Sequence, residues 1–235
     1  MSGSSKKILI SKHNLSVVLK ILTIISAFAG IILSFTCAAE EGYINWYIRA
    51  AYFTLQSNFW ISGLMLFILV QQIIGKRAND NVVYTLKFLF TVSITITFIV
   101  FWTLLAPFAH LDDYNPWSWS SVTTHLLAPA FAIIDFFVDE KQIDITKKHV
   151  YYSLYPPLAY FIFATVLCLL KVDFGRGDPY PYFFMDYYSP AGLFGLQKEP
   201  FVLGTFYYLS LILLVILSVA AVLRAIFRRT KGRKN

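Results

Sequence analysis

Six apolar runs punctuate the chain, at about 15–36, 48–74, 83–107, 121–138, 150–170 and 201–227. Each is long enough to cross a roughly 30 Å hydrocarbon layer as a helix rising about 1.5 Å per residue. Backbone polar groups find no water in lipid, so a spanning segment of this kind must satisfy them internally. The predicted fold class is all-α, a polytopic membrane protein with six transmembrane helices. Two polar interruptions break the pattern. Tyr52-Phe53-Thr54-Leu55-Gln56-Ser57-Asn58 opens the second run, and Thr123-Thr124-His125-Leu126-Leu127-Ala128-Pro129 opens the fourth. An unpartnered hydroxyl or amide in hydrocarbon costs a few kcal/mol, so these groups must meet each other, another helix or a wet cavity. The two stretches are expected to face one cavity.

Composition agrees with this class. Of the 235 residues 57% are hydrophobic and only 14% charged, and the mean hydropathy is +0.62. That is too much apolar surface for a soluble core of this size. The net charge of +7 does not point to nucleic acid, because the basic residues lie between and beyond the apolar runs. With alternate connections on opposite sides, all but four of the 20 Lys and Arg residues (Arg49, Lys171, Arg176 and Lys198) fall on one side or in its helix ends. The positive-inside rule then places both termini in the cytoplasm. The domains expected are a cytoplasmic N-terminus (1–14), a six-helix transmembrane domain (15–227) and a basic cytoplasmic tail (228–235). The basic lead-in and Cys37-Ala38-Ala39 suggest a signal peptide, but the run is too long for one, and a retained helix is expected.

Individual residues carry further expectations. Lys20, close to the start of its run, should snorkel to the surface. Pro156-Pro157 predicts a kink or late start in the fifth span. The loop at 108–120, with His110, Asp112, Asp113, Trp117 and Trp119, suits a membrane interface. The long 171–200 connection is expected to cap a site. Cys37 and Cys168, with four scattered histidines, support neither a zinc site nor a disulfide framework, although one bridge between the cysteines is open. No internal repeat supports an inverted-repeat transporter.

Depth brings the two polar stretches together. Counted from the ends of their runs, Thr54 lies about six residues deep and His125 about four, so both sit roughly 6–10 Å from the outer boundary. A threonine hydroxyl is a weak nucleophile until a base takes its proton, and a nearby histidine is the usual base. Gln56, Ser57, Asn58 and Thr124 are candidates to hold substrate or donate to an oxyanion. Asn58 and Gln56 also suit interhelical hydrogen bonding. Pro129 removes the normal helical donor to the His125 carbonyl and exposes an acceptor. Asp135 lies about ten residues deeper than His125, too far for direct pairing, and suits a structural partner or water near the cytoplasmic interface.

Tyr52-Phe53-Thr54, His125 with Pro129 and Asp135, and Tyr180-Pro181-Tyr182-Phe183 together resemble the androgen-induced, multi-span family of membrane threonine hydrolases. Its animal members cleave fatty acid esters of hydroxy fatty acids, and this chain looks like part of the bacterial branch. The resemblance implies Thr54 as nucleophile and His125 as base, with Pro129, Asp135, Tyr180 and Pro181 in supporting positions. A lipid ester would reach the site from the outer leaflet. The function expected is therefore intramembrane hydrolysis of lipid acyl esters without metal or cofactor. The alternative is a non-catalytic protein that binds or transports a lipid or small molecule. A bacterial plasma membrane is the expected location. The partners expected are membrane lipid or a lipid ester, with anionic lipid at the basic tail and no nucleic acid.

Overall fold

In the computed structural model, which describes residues 3–75, 79–107, 115–139, 143–175, 177–198 and 202–232, six helices among the described residues are long and apolar enough to cross a membrane. They are Lys12–Thr36, Phe53–Ile74, Asp80–Leu105, Trp119–Val138, Lys147–Leu169 and Thr205–Thr230. This is the architecture of an integral membrane protein. The helical elements are α1 (Gly3–Thr36), α2 (Phe53–Ile74), α3 (Asp80–Val100), α4 (Trp119–Val122), α5 (Ala128–Val138), α6 (Lys147–Tyr152), α7 (Tyr155–Leu169) and α8 (Thr205–Gly232). A wide π turn at Phe101–Leu105 extends α3, and a second at Thr123–Leu127 joins α4 to α5 into one span.

Local chemistry sets the boundaries. The second span starts later than the hydropathy pattern predicts, because Trp46–Ala51 forms a separate 3-10 turn and Tyr52 is extended. The Tyr52 hydroxyl donates to the Phe174 carbonyl at 3.0 Å, which ties this corner to the long connection. Helix α2 ends at Gly75, whose φ of +71° is a left-handed conformation that glycine adopts without a Cβ penalty. Asn79 caps α3 by accepting from the Asn81 amide, and Asp80 in the first turn complements the helix dipole. The fifth span breaks after α6 and restarts at Tyr155, with Pro156 and Pro157 in the first turn, where a missing N–H costs little.

Helix α3 is central, packing on α2, α5, α7 and α8, while α1 lies against α2 and α5. The largest core cluster joins Phe88, Val92 and Ile96 of α3 to Phe136, Ala164, Ile216 and Ala220. Between helices in lipid, dispersion contacts and hydrogen bonds replace the hydrophobic drive, so small residues matter where backbones approach. Gly30 of α1 is such a place. A Cβ there would strike the Thr124 methyl and the Thr123 hydroxyl.

At the end where α1 and α3 begin and α5 finishes, Lys20, Lys87, Asp135 and Asp139 form a buried ionic cluster. Lys20 bridges Asp135 and Asp139, each at 2.9 Å, and Lys87 bridges the same two at 2.6 Å. Ser16 donates to Asp135 at 2.6 Å. Lys20 therefore does not snorkel to the surface. With two carboxylates within reach, its ammonium is neutralised inside the bundle, which removes the reason to extend outward. Asp135 has the structural partner expected of it.

The opposite end carries the 171–204 connection, called here the loop end. This segment folds over the bundle through a 3-10 turn at Phe183–Met185 and a two-residue hairpin, with β1 (Leu196–Gln197) antiparallel to β2 (Val202–Leu203). Trp117 and Trp119 are exposed at the same end. His110, Asp112, Asp113, Arg176 and the last basic residues, Arg233 and Lys234, lie outside the described residues. Arg228 and Arg229 at the other end are exposed. Cys37 and Cys168 are not bridged.

Candidate functional site

Thr54 is the second residue of α2, shallower than the count along the apolar run suggests, because the 3-10 turn takes up the preceding residues. Its Oγ1 lies 3.2 Å from His125 Nε2. The tautomer of His125 follows from its other nitrogen. Nδ1 is 3.1 Å from the Ser121 carbonyl, which can only accept, so Nδ1 carries the proton and Nε2 presents its lone pair to Thr54. Thr124 Oγ1, which donates to the Ser120 carbonyl at 2.7 Å, lies 3.2 Å from the same Nδ1 and offers it a second acceptor. Backbone and hydroxyl oxygens thus orient the imidazole where other sites use a carboxylate.

Two π turns build the setting of this ring. His125 sits within the fourth span's π turn, and Phe101 of the third span's π turn stacks on it at 3.6 Å with planes 12° apart. One residue further, the Trp102 indole donates to the His125 carbonyl at 3.1 Å. This is the acceptor that Pro129 leaves without a helical partner, so the exposed carbonyl becomes a bond between spans rather than a ligand contact. Pro129 itself is buried in the first turn of α5. π turns are uncommon and recur at functional sites, where they re-aim side chains that an ideal helix would rotate away.

The polar residues after Thr54 act as scaffold. Asn58 Nδ2 donates both hydrogens, to the Thr54 carbonyl at 2.8 Å and the Thr124 carbonyl at 3.1 Å, and so fixes the spacing of the two stretches. Ser57 bonds the Thr54 carbonyl at 3.1 Å and the Thr97 hydroxyl at 2.7 Å. Gln56 points away from the site and donates to the Ala50 carbonyl at 3.2 Å. The donors of these three residues are committed to neighbouring groups, so they do not form the oxyanion site expected of them. Thr124, Tyr180 and Pro181 do line the cavity, together with Tyr182 and Phe183 from the long connection. Asp135 lies about 15 Å further along its helix and belongs to the ionic cluster.

Two cavities meet at Thr54. One is a polar chamber of about 330 Å³ at the loop end, whose walls include Arg49, Tyr52, His125, Asp178 and Tyr180. Arg49 is held by Glu41 at 2.6 Å and Ser34 at 2.9 Å, with its guanidinium over the Tyr43 ring. The other is a narrow apolar slot of about 40 Å³ between the third, fifth and sixth spans, walled by Ile96, Val100, Phe161, Ile212 and Ile216. Thr54, Phe101, Leu105 and Tyr182 border both. The nucleophile candidate therefore stands where a polar space changes to an apolar one. Among the described residues no group of three or more His, Cys, Asp or Glu side chains is arranged to hold a metal.

Sequence reasoning missed Phe101, Trp102, Ser121, Gly30 and the role of Arg49. Only Arg49 carried a signal, as one of four basic residues against the charge bias. Compared with protein-family models, curated proteins and solved structures, the chain matches none of them.

Proposed function

We propose that the chain is an intramembrane hydrolase of lipid acyl esters, acting through Thr54 and His125, and that it belongs with the androgen-induced family it resembles. One observation carries the reading: a threonine hydroxyl 3.2 Å from Nε2 of a histidine whose Nδ1 is engaged by a backbone carbonyl. Thr54 Oγ attacks the ester carbonyl carbon while its proton passes to His125 Nε2. The tetrahedral intermediate collapses, the ester C–O bond breaks, and the leaving alkoxide takes that proton. Water then attacks the acyl-threonine through the same base, releasing the fatty acid and restoring the hydroxyl.

The meeting of a polar and an apolar space suits an amphiphilic ester, with the polar end in the chamber beside Arg49 and only the first methylenes of an acyl chain entering the apolar slot, the rest lying outside it. Fatty acid esters of hydroxy fatty acids have this form. In the orientation set by the positive-inside rule, both termini are cytoplasmic and the chamber opens toward the outer leaflet of a bacterial plasma membrane.

Purified protein in detergent, supplied with a branched fatty acid ester, is expected to release fatty acid. Thr54→Ala and His125→Ala, folded as judged by thermal melting, should each lose at least about a hundredfold in kcat/KM. Absence of turnover by wild type on that ester and on a panel of simpler acyl esters would instead leave a binding protein. Turnover surviving Thr54→Ala would remove the nucleophile.

A further inference from the structure

Acyl transfer at Thr54 needs a donor for the carbonyl oxygen as it becomes an oxyanion, and the expected donors are spent. Asn58 uses both amide hydrogens on carbonyls, Ser57 is bonded to Thr54 and Thr97, Gln56 is turned away, and Thr124 donates to Ser120. Two tyrosine hydroxyls stand beside Thr54 where the cavities meet. Tyr182 reaches it from the long connection and borders both spaces, and Tyr160 enters from α7 and borders the apolar slot.

Resting on the hydrolase reading, we propose that the Tyr182 hydroxyl is the oxyanion donor of this site, placed by Phe184 and Tyr52 and backed by the Tyr160 hydroxyl. The ring is immobilised. It stacks on Phe184 at 5.0 Å with planes 10° apart and meets the Tyr52 ring edge-on at 5.6 Å. Its oxygen faces the Thr54 side chain and the backbone of Phe53 and Thr54 at the start of α2. First-turn amides of a helix lack intrahelical acceptors and carry partial positive charge, so they polarise the phenol and strengthen its O–H as a donor. Burial pushes the Tyr182 phenol up to about 12, so it keeps its proton at neutral pH. Tyr160 supplies an independent sign of an unfinished polar site. Its hydroxyl is fully enclosed and makes no hydrogen bond of good geometry, the Tyr182 hydroxyl and the Phe53 backbone being its polar neighbours. A buried hydroxyl left unbonded is costly, and a polar ligand atom at this point would satisfy it.

In the acylation step the carbonyl π pair moves onto oxygen as the Thr54 Oγ–C bond forms. Tyr182 donates a hydrogen bond to that oxygen without transferring its proton. On collapse the pair returns, the alkoxide departs, and Tyr182 is unchanged.

The test is Tyr182→Phe, which keeps the ring and its stacking. Its kcat should fall about a hundredfold, with KM within threefold of wild type. Binding separates this role from a structural one. A trifluoromethyl ketone, which forms a tetrahedral adduct with Thr54, should bind the variant at least about thirtyfold more weakly, while a planar non-hydrolysable ketone ether of the same length should bind equally. Tyr160→Phe should show the same pattern at a few-fold. An unchanged kcat, or equal loss for both ligands, overturns the proposal while leaving the hydrolase reading in place. Wild type that neither turns over ester nor binds the trifluoromethyl ketone more tightly than the planar ketone overturns both.

Discussion

The two ends of the bundle bury polar side chains in opposite ways. At one end Lys20, Lys87, Asp135 and Asp139 neutralise one another, two cations against two anions. At the loop end Thr54, His125, Tyr160 and Tyr182 border open space, and the Tyr160 hydroxyl is left without a close hydrogen bond. Charge inside a membrane is commonly taken to mark function. Here the charged groups are closed by ion pairs with one another and the uncharged ones border the cavities, so what a polar group faces separates the two ends better than charge does.

That contrast predicts that damage at the two ends will be of different kinds. The largest stability loss is expected from Lys87→Met, which leaves two carboxylates sharing one ammonium. Breaking a buried ion pair by removing one partner costs about 3–5 kcal/mol. The double variant Lys87→Met/Asp135→Leu should recover most of that loss, because Lys20 and Asp139 remain paired at 2.9 Å. Thermal melting in detergent checks both, and specific activity of the folded fraction should stay near wild type. Loss of ester turnover in a fully folded ionic-cluster variant would erase the distinction between the ends.

Gly30→Ala comes next. The added methyl must displace Thr123 or Thr124 and so moves the π turn that carries His125. A misplacement of this size is expected to lower kcat by about tenfold or more, with destabilisation of about 1–3 kcal/mol from overpacking. Activity and melting measured on the same preparation would show whether geometry fails before stability does.

Acid should weaken the ionic end. Burial alone would raise the Asp139 carboxyl, but the Lys87 and Lys20 ammonium groups beside it prevail and hold it below its ordinary 3.8. A carboxyl lowered in the folded state contributes stability above its unfolded value, and that contribution is lost as pH falls through the folded one. The melting temperature should therefore drop as pH is taken below about 3.8, and Asp139→Asn should show a shallower acid dependence from a lower starting stability. An identical acid profile in Asp139→Asn would move the effect elsewhere. The smallest change is expected for Gln56→Ala, within about twofold in turnover, because its amide serves the Ala50 carbonyl outside the cavities.

Much of this was legible in the chain. The six spans follow from hydropathy, and the meeting of Thr54 with His125 follows from residue type and shared depth. What sequence could not supply is rotation about each helix axis. A helix turns about 100° per residue, so Gln56 and Ser57 face different neighbours although they share a depth. Nor does the pattern announce a π turn, whose extra residue resets the facing of everything after it, Phe101 and His125 included. Pro129 did announce an orphaned carbonyl, and Trp102 answers it. The environment of Lys20 is not written in its own helix, because its anions arrive from α5 and the residue after it.

The central claim is that Thr54 Oγ becomes nucleophilic because His125 removes its proton. It is tested most directly by treating the purified protein with a lipid-chain fluorophosphonate and mapping the adduct by peptide mass spectrometry. The account predicts a single phosphonylated residue, Thr54, with labelling reduced at least about a hundredfold in His125→Ala. Modification at another residue, or equal labelling of Thr54 without His125, would contradict it.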